Sequence, residues 1–203
     1  MLAADRDGVC AAQQEAGAGN LDIDGALASA GVATLDVARH VSIYCAGNMS
    51  AVTFTLTGTD RYGTVITEDV TGPNATTVTS AKNFKTITQV AVDGAVGTNV
   101  EVGSADEAET KWVPVGRYAG KVGINVVLNS TADFTYALQS TGDDLQEAGF
   151  QENDATAFVD ASITAETTSQ AGSVDVPVSG LRLAITAYVA GGLELLLNQR
   201  MAA

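Results

Sequence analysis

The sequence predicts an all-β protein: antiparallel β-sandwiches, one or two, with an irregular N-terminal segment. Three observations carry this expectation. Residues 52–103 read VTFTLTGTDRYGTVITEDVTGPNATTVTSAKNFKTITQVAVDGAVGTNVEVG, with Thr and Val alternating between Gly, Asp and Asn; a period of two sends one set of side chains to a buried face and the next to water. The 203-residue chain carries 21 glycines against 3 prolines, which supplies tight turns rather than stiff linkers. Its hydrophobic fraction of 46% is enough for a core, with only 17% of residues charged and 5% aromatic.

Residues 1–36 are rich in Ala and Gly and show no apolar stripe, so a short helix or an extended arm is expected there. A first β block spans 37–104. Val41, Ile43 and Cys45 alternate with Ser42 and Tyr44, Asn48 and Ser50 form a turn, and Val52, Phe54 and Leu56 begin the next strand. Asp60, Arg61, Tyr62 and Gly63 make the loop of a hairpin to a strand over 64–70; Gly72, Pro73 and Asn74 break the ladder, and strands over 86–92 and 99–102 follow.

The polar, acidic stretch 104–109 is the candidate boundary, and a second β block spans 105–203, packing with the first as one sandwich or standing alone. It opens on Trp112, Val113, Pro114 and Val115. Strands over 124–128 and 134–138 flank an Asn129–Ser130 turn, an order that echoes residues 41–56 and hints at two related β units. Residues 142–172 read as a long exposed loop with a helical turn. The chain closes on an expected hairpin: Leu181, Leu183, Ile185, Ala187 and Val189 form the core face, Gly191 and Gly192 turn, and 193–197 return.

Ten Lys plus Arg against twenty-four Asp plus Glu give a formal net charge of −14. Such a surface is repelled by nucleic acids and anionic lipid, and favours solubility or a basic protein partner. The N-terminus has acids where a signal peptide has bases, so export is not expected, and residues 181–199 are interrupted by Arg182, Gly191, Gly192 and Glu194, so no membrane span is expected either. Cys10 and Cys45 lack metal-ligand spacing and are read as thiols, with a disulfide between them left open because sequence gives no distance.

Residues suited to chemistry are few. The single histidine, His40, lies five residues before Cys45, an odd spacing that puts the two on opposite faces of one strand. Asp22 and Asp24 open LDIDG like a calcium loop, but Ala33 stands where the twelfth-position Glu is required. Asp143 with Asp144, and Asp106 with Glu107 and Glu109, have no spacing that demands a cation. Gly17 and Gly19 lack the third glycine of a dinucleotide fingerprint. Trp112 reads as a core or inter-domain packing residue. No catalytic, cofactor-binding or metal residue is therefore assigned.

The segment TFTLTGTDRYGTVITEDVTGPN followed by FKTITQVAVDGAVGTNVEVG resembles structural proteins of tailed bacteriophages, in which a hairpin TGTDxxGxxxTE precedes FKTIT and a Val/Gly-rich strand; the closing LRLAITAYVAGGLELLLNQ is similar to the final hairpin of such virion components. The resemblance implies a non-enzymatic virion β-sandwich protein with no catalytic residues and no cofactor. With the acidic surface, the expectation is a capsid decoration (cement) protein, assembled in the host cytoplasm and bound as a homo-oligomer to the major capsid protein lattice. A head-to-tail connector or tail component, with neck or tail proteins as partners, is the alternative. A β-sandwich module for a host-surface glycan or receptor comes from another class, and a hydrolase using paired acids from a third.

Overall fold

The computed structural model describes residues 1–116, 119–175 and 177–201, with side chains of 119, 120, 200 and 201 outside the description. The chain divides into two compact units, residues 2–108, and residues 109–203 together with Met1, so the division falls within the acidic stretch 104–109. Both are built of antiparallel strands, and the described residues add one 3-10 turn, Glu152–Asp154. Among the described residues no helix is long and apolar enough to cross a membrane.

The first unit holds β1 (Asp5–Glu15), β2 (Gly19–Asn20), β3 (Ala28–Ser29), β4 (Val32–Arg39), β5 (Val41–Asn48), β6 (Thr53–Thr59), β7 (Val65–Thr71), β8 (Asn74–Thr79), β9 (Phe84–Val92) and β10 (Val96–Ser104). One sheet runs β1–β10–β5–β8 and the other β3–β4–β9–β6–β7, with β2 also on β9. Val9, Ile43, Val100 and Val102 from the first sheet and Leu35, Phe54, Leu56, Ile87 and Val90 from the second close one core, all fully buried. Removing side chains of this size from water stabilises by about 1.5–3 kcal/mol each.

The short helix or arm expected over 1–36 gives way to β1, an 11-residue strand on the edge of a sheet. Its alternation is masked because register slips between each recorded pair, Asp5↔Ser104, Cys10↔Val102, Gln13↔Val100 and Glu15↔Val96, and bulges destroy the period of two. The β6–β7 hairpin forms as expected. Asp60, nearly without exposure, accepts hydrogen bonds at Oδ1 from the amides of Tyr62 (2.8 Å) and Thr64 (2.9 Å), and Gly63 takes a left-handed φ of 82°. A Cβ at Gly58 would fall 1.9 Å from the Thr86 carbonyl oxygen, so that glycine is fixed by close backbone approach.

The second unit holds β12 (Val113–Pro114), β13 (Ala119–Leu128), β14 (Asp133–Thr141), β15 (Phe158–Val159), β16 (Gln170–Asp175), β17 (Gly180–Ala190) and β18 (Leu193–Met201), while the two-residue β11 (Ala108–Glu109) spans the division. One sheet contains β17–β14–β15 with β12 also on β17; the other runs β16–β13–β18. Val122, Ile124, Val126, Phe134, Tyr136, Leu138, Leu181 and Leu183 meet in its core. The long exposed loop expected over 142–172 sends Ile163 into that core.

The closing hairpin is not formed. β17 pairs with β14 and β18 with β13, so the Gly191–Gly192 link carries the chain from one sheet to the other. The core face of β17 also differs from the expectation. Ala187 adopts φ 50° at a register shift, and this turns Tyr188 inward and leaves Val189 58% exposed, while Leu181 and Leu183 stay buried and Ile185 is half-buried. Tyr188 stacks on Phe134 at 5.7 Å and donates to the Gly191 carbonyl at 2.9 Å.

The two units share a topology. β5 lies between β8 and β10 as β13 lies between β16 and β18; β6 lies between β7 and β9 as β14 lies between β15 and β17. Even the crossings match. Asn48 Oδ1 accepts from the Ser50 amide and hydroxyl, and Asn129 Oδ1 from the same groups of Thr131. The faint echo between 41–56 and the Asn129 region thus has a structural counterpart.

The bulge in β17 makes opposite demands on neighbouring residues. Val189→Asp is expected to change the unfolding free energy by less than about 0.5 kcal/mol, and Tyr188→Ala to lower it by about 3 kcal/mol, both read by urea denaturation. An unbulged β17 would reverse that order.

Candidate functional site

The densest polar constellation lies where β4 gives way to β5. Arg39, the last residue of β4, has no exposed surface. Its Nη1 donates to the Leu2 carbonyl (2.9 Å) and to Asp36 Oδ1 (3.1 Å), and Nη2 donates to the Ala105 carbonyl. Nε is buried with no hydrogen-bond partner among the described residues. Burial alone would raise the Asp36 carboxyl, but the Leu2 amide and the Arg39 guanidinium together outweigh it and hold the group below its ordinary value. One guanidinium thus fastens the N-terminal segment, β4 and the stretch after β10 to one another.

Next to it, His40 Nδ1 lies 3.1 Å from Glu107 Oε2, and Thr79 Oγ1 reaches the same oxygen at 3.4 Å. The His40 backbone joins in, its amide donating to the Glu107 carbonyl (3.1 Å) and its carbonyl accepting from Ala105 (3.0 Å). An imidazole oriented by a carboxylate is half of a nucleophile-activating system. The nearby Ser80 hydroxyl is committed elsewhere, accepting from the Val41 amide (2.9 Å) and donating to the Lys82 carbonyl (3.0 Å). Cys45, fully buried, has its Sγ 2.8 Å from Thr98 Oγ1. What the geometry does is tie backbone segments together.

Both cysteines are free thiols. Cys10 on β1 pairs with Val102 and Cys45 on β5 with Val100 of the intervening β10, so the two are at least two strand spacings, or about 9.5 Å, apart, beyond disulfide reach. Burial pushes the Cys10 thiol up to about 12, with the negative charges of Asp24 and Asp22 adding to it, so the thiolate needed for reactivity is not populated near neutrality.

In the pairs Asp22–Asp24 and Asp143–Asp144, the carboxylates of Asp24, Asp143 and Asp144 accept from backbone amides. Asp24 Oδ1 accepts from the Ala11 amide at 2.9 Å, and Gln13 brackets Asp22 by bonding both its amide and its carbonyl. Asp143 Oδ2 accepts from Thr156 N at 2.6 Å and Asp144 Oδ1 from Gln146 N at 3.1 Å. Asp143, Asp144, Glu147 and Asp154 rim a depression of about 410 Å³, yet among the described residues no group of three or more His, Cys, Asp or Glu could hold a metal ion. Trp112 is a packing residue of the second unit, with the Arg182 guanidinium 4.4 Å from its ring centre and its Nε1 donating to the Glu152 carbonyl at 3.4 Å.

Sequence reasoning passed over Arg39. Its one signal was a charged residue within VARHV, where Val37, Ala38 and Val41 are apolar. Replacing it takes the guanidinium donor from the Leu2 and Ala105 carbonyls and from Asp36 Oδ1, so Arg39→Ala is expected to cost about 3 kcal/mol in urea unfolding. Because the Asp36 group is held low in the fold, its contribution is present above its ordinary value of 3.8 and is lost as pH falls through the depressed one. Asp36→Asn should flatten that acid limb, and an unchanged acid profile would contradict the assignment. Ellman's reagent should find no reactive thiol in the folded chain and two after unfolding without reductant; none after unfolding would mean a disulfide between Cys10 and Cys45.

Comparison of the chain with protein-family models and with curated proteins returned no match.

Proposed function

We propose that this chain is a non-enzymatic structural protein of a tailed-bacteriophage virion, a capsid decoration protein that binds the outer lattice of the major capsid protein as a homo-oligomer and reinforces it. The observation that carries the reading is the segment on which the resemblance rests. TGTDRYGTVITE forms the β6–β7 hairpin at the edge of a sheet, with Asp60 and Gly63 building its loop. Support comes also from the formal charge of −14, which suits the outside of a particle better than contact with packaged DNA. Polar side chains spent on fastening backbone, as at Arg39 and Asp60, are what a load-bearing β-scaffold needs.

Reinforcement in this reading is additive burial at subunit junctions rather than chemistry. A glycan-binding module would call for an aromatic platform; among the described residues the exposed aromatics are Tyr62 and Phe158, one in each unit. Quantitative mass spectrometry of purified virions tests the proposal. About one copy per major capsid subunit is the expected stoichiometry for a lattice-covering protein. A ratio of a few per cent would move the protein to the neck or tail, and absence would overturn the virion reading.

A further inference from the structure

The shared topology of the two units leaves one position unfilled. In the first unit the outer edge of β10 is covered by β1, and the core valines Val100 and Val102 beneath are fully buried. β18 holds the place of β10 in the second unit, pairing with the central β13 as β10 pairs with β5. Its other edge has no strand among the described residues. Leu195 and Leu197, which occupy the positions of Val100 and Val102, are only partly buried against the core.

The backbone parity of that edge is fixed. Asn129 donates to the Gly192 carbonyl and the Leu128 amide turns away to the Ser169 hydroxyl, so residues 194, 196 and 198 face their hydrogen-bonding groups toward β13. Those of Leu193, Leu195, Leu197 and Gln199 therefore point off the open edge. Five other edge strands among the described residues are blunted in the ways that prevent pairing. β1 is bulged, β7 carries Glu68 and Asp69, β8 contains Ala75 at φ 51°, β16 contains Gly172 and ends at Asp175, and β15 is two residues long. β18 reads LELLLNQRM, unbulged over 193–199 and formally neutral.

We infer that the open edge of β18 is an assembly edge that pairs antiparallel with β18 of a second copy about a two-fold axis at Leu196. Only pairings that place residues of the same parity opposite each other satisfy both edges. Centring on Leu196 joins Leu195 to the partner's Leu197 and Leu193 to the partner's Gln199 through their outward groups. It also sets Leu196, 43% exposed, against the partner's Leu196 and places Glu194 opposite the partner's Asn198, with no like charges in contact. The orientation is the antiparallel one that β1 adopts on β10. The pairing completes in trans the core cover that β1 provides in cis.

This deepens the assembly reading, and rests on it for the use the oligomer would have, but it is tested on the isolated chain. Sedimentation and light scattering at about 100 µM, a concentration suited to a small strand-to-strand interface, should give a mass twice 20.7 kDa. Association should tighten with added salt, since each copy carries −14 and screening relieves their repulsion. Leu196→Lys should weaken dimerisation at least tenfold without moving the Tm of the dilute monomer, because that side chain is on the outer face. Oxidised Leu196→Cys should form a covalent dimer, the native thiols being buried. A monomer under all these conditions, a dimer indifferent to Leu196→Lys, or a dimer in which Leu196→Cys does not crosslink would each overturn the inference. None of these results alters the copy number in virions, and absence from virions leaves them untouched.

Discussion

Both units depend on carrying a chain with apolar side chains at alternate positions back and forth between two facing sheets, through crossings so tight that they leave no room for a side chain. In the first unit the link from β5 to β6 lies against the link from β7 to β8: Met49 donates to the Pro73 carbonyl (2.7 Å) and Gly72 to the Val52 carbonyl (2.8 Å). A Cβ at Gly72 would stand 2.3 Å from the Met49 carbonyl oxygen. In the second unit the link from β13 to β14 meets a different crossing, the link from β17 to β18, with Asn129 donating to the Gly192 carbonyl (3.1 Å). There a Cβ at Gly191, at φ 97°, would stand 2.4 Å from the Ala132 Cα. Two crossings locked together at one end of each sandwich set the distance between its sheets and so decide which side chains can fill the core.

That constraint also explains where the polar residues went. A sandwich closed by short crossings must satisfy the backbone groups that its turns release, and short side chains do so locally. Asn48, Asp60, Asn129 and Asp160 all accept from amides two residues on. Arg39 does the same work over a longer reach, serving carbonyls from two separate segments. Along β18 the backbone itself is left with an edge that no strand covers among the described residues.

How much of this was legible depended on what kind of information each feature needs. The all-β class and the β6–β7 hairpin followed from alternation and from Asp60 and Gly63, because those are local requirements. Strand partners did not follow: alternation shows that 181–189 and 193–197 are extended, but a Gly-Gly link serves a hairpin and a sheet-to-sheet crossing equally well. β1 and the far end of β17 were misread for a single reason, that bulges shift the faces by one residue and a sequence does not mark where. Of the residues behind the bacteriophage resemblance, Asp60 and Gly63 are fixed by the hairpin loop and Gly58 by the close approach of β9, so the resemblance speaks first of a fold. Arg39 was missed because its partners are backbone carbonyls, which no side-chain pattern reveals.

The claim that backbone pairing, and not a side-chain site, is what this protein offers a partner is tested most directly by residue-resolved amide hydrogen exchange along β18. In dilute solution the amides of Leu195 and Leu197 should exchange rapidly while those of Leu196 and Asn198, facing β13, are slow; raising the concentration should slow the first pair and leave the second unchanged. Slow exchange at Leu195 and Leu197 in dilute solution, or rapid exchange there at every concentration, would contradict it.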